Sequence, residues 1–139
     1  MTRVFMFPGQ SSRDSGMFER LFALRPENRA RVQQASQILG RDLLDHYHCE
    51  NSDAFAENRD VQVGVFLANH LFLETLEAQG ITAEVVLITA FADLDTAIEA
   101  LRAGAGDMLL KPFRVTQVLG ATRQALERAV GFAPWNYAV

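Results

Sequence analysis

The sequence predicts an α/β fold, with a small parallel sheet of about three strands flanked by helices. Three observations carry this. Val4 to Phe7 is a four-residue apolar run closed by Pro8-Gly9, the texture of a buried parallel strand and not of an alternating, half-wet one. From residue 84 onward, strand-like and helix-like stretches alternate, which implies crossover connections and parallel pairing. A chain of 139 residues, 49% hydrophobic and 22% charged, can bury one real core, so it reads as a single α/β domain over 1–139.

Each element follows from local chemistry. After the first strand, Gln10 to Ser15 is polar and leads into helices at about 16–24 and 26–39. Pro26 suits the first turn of the second helix, and Gly40 suits its end. Segment 41–59 is weakly patterned and reads as short helical turns and loop. Asp60 is placed to cap a long helix that runs to about Gln79 and stops at Gly80. Its apolar residues, Val61 to Leu76, spread around most of the cylinder, as in a helix at the centre of a fold. Then come a strand at 84–89, a helix at 94–103 ending at Gly104, a strand at 107–110 and a helix at 115–130. The remaining 131–139 form a tail in which "PWNY" reads equally as an aromatic contact patch or as one tryptophan packed on the last helix.

Charge and cysteine usage exclude several classes. The formal net charge is −4 and the pI about 5.3, so no basic field is available for a phosphate backbone, and no nucleic-acid partner is expected. Cys49 is the one cysteine, which rules out an internal disulfide and suits a reducing compartment. The apolar start breaks at Pro8-Gly9, short of a secretion signal or a membrane span, so a cytoplasmic protein without membrane contact is expected. "DHYHCE" (45–50) crowds two histidines, a cysteine and carboxylates into six residues, but matches no familiar zinc spacing and is followed by no second ligand pair. It reads as a surface loop, with no metal and no cofactor expected. His70 reads as a packed or hydrogen-bonded histidine of the long helix.

Two family resemblances meet in this chain. "VFMFPGQSS", then "GMF", "ASQILGRDL" and "NRDVQVGVFLANHLFLETLEAQGI", resembles the N-terminal part of malonyl-type acyltransferases of fatty-acid and polyketide synthesis, over roughly residues 3–83. The resemblance implies that Gln10 and Gln62 line an acyl pocket, Gln10 beside an oxyanion hole. That role needs a nucleophile close by. The family's "GHSxGE" elbow is replaced by "ITAFADL", no G-x-S-x-G occurs, and the downstream arginine and histidine have no counterpart. Ser11 and Ser12 have no identifiable base and read as caps of the following helix. Acyl transfer is not expected.

"AEVVLITAFADLDTAIEALRAGAGDMLLKPF", with "LGATRQALERA" after it, resembles the C-terminal part of the receiver domain of two-component response regulators, over residues 84–130. The resemblance implies a flavodoxin-like arrangement in which Thr89 and Ala90 adjoin a phosphoryl group, Lys111 pairs with a phosphoaspartate, and Lys111-Pro112 is cis. Lys111 is the sole lysine of an arginine-rich chain, which fits a position requiring a compact ammonium. A receiver also needs an acidic pair for magnesium and an acceptor aspartate. The strand ending in "FPGQ" supplies neither, and Met108 stands where an aromatic switch residue is usual.

Together these readings predict a non-catalytic chimeric α/β protein with a structural or association role, joined by natural fusion or by engineering. Two alternatives stand beside it: a residual pocket for an anionic acyl or phosphate compound using Gln10, Gln62, Thr89 and Lys111, and a degenerate receiver-type signalling module. The expected partner is a second copy, paired through about 94–130.

Overall fold

The computed structural model describes residues 5–81, 84–90 and 93–129. They fall into two compact units divided between Ile81 and Thr82. The tail with its "PWNY", residue 130 and Val4 lie outside the described residues.

The first unit is helical. A 3-10 turn at Gln10–Ser12 precedes α1 (Met17–Leu24), α2 (Asn28–Leu39), α3 (Leu43–His46) and α4 (Asn58–Ala78). Its core is Phe18 and Leu21 of α1, Val32 of α2, Leu43 of α3, Tyr47 and Ala54 of the loop, and Leu67 and Leu71 of α4. Tyr47 stacks between Phe18 at 5.0 Å and Phe55 at 5.4 Å. Its hydroxyl donates to the Asp60 carbonyl at 2.7 Å, and burial pushes its pKa up to about 12. Gly64 of α4 faces this stack so closely that an added Cβ would lie 2.8 Å from Phe55 and 2.9 Å from Tyr47. Helices α2 and α4 end as the glycines suggest, with Gly40 at φ 66 and Gly80 at φ 75.

Two sequence expectations fail in this unit. Phe5 to Phe7 form no strand. A strand exists through hydrogen bonds to a neighbouring strand, and the described residues of this unit offer only helices. The rings of Phe5 and Phe7 instead meet the edge of Phe72 on α4 at 6.5 and 6.0 Å. Asp60 does not cap α4 either. Glu57 occupies the cap position without a side-chain hydrogen bond, and Asp60 lies one turn in, buried, with its carboxylate 2.6 Å from Arg41 and 3.5 Å from His46. A carboxylate with a partly buried arginine in reach gains more from that partner than from a backbone N–H. Helix α4 is also less central than its composition suggests: Phe66 is exposed, and His70 is half-exposed 3.6 Å from Glu74.

The second unit contains β1 (Val86–Thr89), α5 (Leu94–Arg102), β2 (Asp107–Leu110) and α6 (Val115–Ala129). The strands pair in parallel, giving the predicted small parallel sheet flanked by helices with two strands among the described residues instead of three. Helix α6 packs on both strands and α5 on β2. β1 is not the buried strand its apolar run suggests: Leu87 and Ile88 are 37% and 43% exposed. Ala121 is the buried apolar residue of this unit among those described.

Candidate functional site

Parallel register fixes the geometry at the C-terminal end of the sheet. Thr89 pairs with Leu110, and the ladder runs one residue further, the Lys111 N–H donating to the Thr89 carbonyl at 2.7 Å. Thr89-Ala90 and Lys111-Pro112 therefore lie side by side just past two parallel strands, the end at which open α/β sheets hold ligands. Thr89 is half-buried, whereas Ala90, Lys111 and Pro112 are exposed. The Lys111-Pro112 bond is cis, as the motif implies.

Three acidic groups of this unit are engaged elsewhere. Asp107 opens β2, at the far end of the ladder, and accepts from the N–H of Met108 at 2.8 Å. Glu84 precedes β1 and pairs with Arg128 at 2.9 Å. Asp93 caps α5, accepting from the Thr96 N–H at 2.8 Å, and hydrogen bonding from the Thr96 side chain and backbone holds its carboxyl below the usual value. A single ammonium beside a strand end can attract an anion. Holding magnesium would take oxygen ligands, carboxylates above all.

Gln10 opens the 3-10 turn and Gln62 lies in the N-terminal part of α4, and both are exposed. Near them an apolar groove of about 370 Å³ runs between the 5–8 segment, α1 and α4, lined by Phe7, Leu21, Leu24, Val65 and Phe72 among others. Ser12 reaches it, but neither glutamine lines it. Ser11 and Ser12 lie in the 3-10 turn, with no side-chain cap bond to that turn or to α1.

One cluster escaped sequence reading. Glu19 of α1 meets His48 and Cys49 of the loop after α3, with one potential ligand atom of each within 4.8 Å of the others. The Cys49 N–H donates to Glu19 Oε1 at 2.9 Å, across 30 residues. Local desolvation, then Glu19 and Glu50, pushes the Cys49 thiol up. "DHYHCE" showed two of the three residues. The third was not visible because only the packing of α1 on the Tyr47 loop brings it there.

The curated relatives that match are response regulators. The chain is 36% identical over 55 residues to the regulatory protein AtoC of Escherichia coli, covering 40% of this chain and 12% of that protein. It is 37% identical over 57 residues to the transcriptional regulatory protein FixJ of Azorhizobium caulinodans, 41% of this chain and 27% of that one. It is 39% identical over 54 residues to the response regulator protein TodT of Pseudomonas putida, 39% and 24% respectively. The chain thus spans about a quarter or less of these relatives. No family model matches it, and no solved structure does. None of these relatives is an acyltransferase, so the likeness drawn for residues 3–83, and with it the chimera, gains no support from them. Among the described residues, no helix is long and apolar enough to cross a membrane.

Proposed function

We propose that this chain works as a degenerate receiver-type module, which acts by association and carries out no phosphotransfer of its own. The observation that carries this reading is the Thr89–Lys111 junction. The Lys111 N–H to Thr89 carbonyl bond sets the threonine and the lysine of the receiver resemblance side by side at one strand end. The acidic residues Asp107, Glu84 and Asp93 are meanwhile committed to a strand start, an ion pair and a helix cap. The likeness to response regulators over about 40% of the chain supports the same reading. Exposed apolar residues Leu94, Leu101, Leu110, Val115 and Leu119 on the α5–β2–α6 side support association. A second copy of the chain is the partner we favour.

Incubation with acetyl phosphate and magnesium followed by intact-mass measurement tests the catalytic half of this reading. The mass is expected to stay unchanged, and Lys111→Met to leave the result as it is. A phosphoryl adduct that disappears in Lys111→Met would refute the proposal.

A further inference from the structure

We propose that Glu19, His48 and Cys49 form a surface site for a thiophilic divalent cation of the zinc class. The donor set is one carboxylate, one imidazole and one thiol, the three ligand types zinc takes, and three protein ligands leave a fourth position for water. A thiol and an imidazole select against magnesium and calcium, which take oxygen ligands.

The fold holds both halves of the cluster in place. Phe18, the neighbour of Glu19, stacks at 5.0 Å on Tyr47, the neighbour of His48, and both rings belong to the core. The Cys49 N–H bond to Glu19 Oε1 ties the loop to α1. The other oxygen, Glu19 Oε2, is buried and has no hydrogen-bond partner among the described residues, although a buried acceptor ordinarily has one. A cation would supply it. Ligand atoms within 4.8 Å of one another need to close by only about 1 Å to reach the spacing set by zinc bonds of about 2.0–2.3 Å. His48 and Cys49 are exposed and can turn to do so. Glu50, whose carboxylate is 4.0 Å from His48 Nδ1, adds negative charge beside the cluster.

Titration of the reduced full chain with zinc chloride by calorimetry, and with cobalt chloride by absorbance, tests this. One equivalent of zinc should bind, and cobalt should give a thiolate charge-transfer band. Cys49→Ser should abolish that band, and Glu19→Gln should weaken binding by more than about tenfold. His70→Ala, which removes an exposed histidine outside the cluster, should change neither. Circular dichroism establishes that each variant is folded. Absence of stoichiometric binding, or binding that Cys49→Ser and Glu19→Gln leave intact, overturns the site.

Discussion

At the scale of single residues, the helical unit depends on Asn28. It is fully buried, and its Nδ2 donates to the Leu21 carbonyl at 3.0 Å and to Thr75 Oγ1 at 3.1 Å. Thr75 Oγ1 in turn donates to the Leu71 carbonyl at 2.7 Å, so one amide ties α1, α2 and α4 together. Asn28→Ala takes the amide donor from Thr75 Oγ1 and one of two donors from the Leu21 carbonyl, which keeps the Arg25 N–H, and should lower stability by about 1–3 kcal/mol. Gln10→Ala, at an exposed position, should change it by no more than about 0.5 kcal/mol. Urea unfolding compares the two, and equal losses would mean that the buried network is not what joins the helices. Nothing in the sequence marks Asn28, because its burial is decided by residues as far away as Thr75. Lys111-Pro112 was legible for the opposite reason: the motif is local, and the strand end before it fixes where the lysine goes.

At the scale of elements, the helices were legible where their stops are local and illegible where a distant partner intervenes. Gly40 and Gly80 end α2 and α4 through their own backbone conformation. Asp60 looked like a cap until Arg41, 19 residues earlier, claimed its carboxylate. Phe5 to Phe7 had strand composition, but the described residues of the unit provide Phe72 and no strand to pair with. Helix α5 was read by its stop at Gly104, and the structure adds its start, where Asp93 accepts from the Thr96 N–H. Asp93→Ala should lower the melting temperature, whereas Asp93→Asn keeps a capping side chain and should lower it less. The Asp93 pKa is lowered from 3.8 by hydrogen bonds from Thr96. Its contribution is therefore fully present above that value and is lost as pH falls through the lower, folded-state one. Thermal melts from neutral to acid pH should show the difference between native chain and Asp93→Asn shrinking below about pH 4. A constant difference would place the stabilisation elsewhere.

At the scale of the whole molecule, the α/β unit is defined by what it leaves uncovered. Each of its two strands keeps one edge without a strand partner among the described residues, and such edges invite pairing. Leu87 and Ile88 on the sheet, with Leu94, Leu101, Val115 and Leu119 on the helices, are exposed apolar side chains. The sequence announced the parallel alternation of this unit, because crossover helices and strand lengths are local patterns. It could not announce the exposure, which depends on how many strands and helices are present to cover one another. Association without phosphotransfer is open to light scattering over a range of concentrations, with and without acetyl phosphate and magnesium. The expected mass is that of a dimer, which acetyl phosphate does not alter and which Leu119→Asp reduces to a monomer. A monomer mass at every concentration, or a dimer formed only after acetyl phosphate is added, would contradict it.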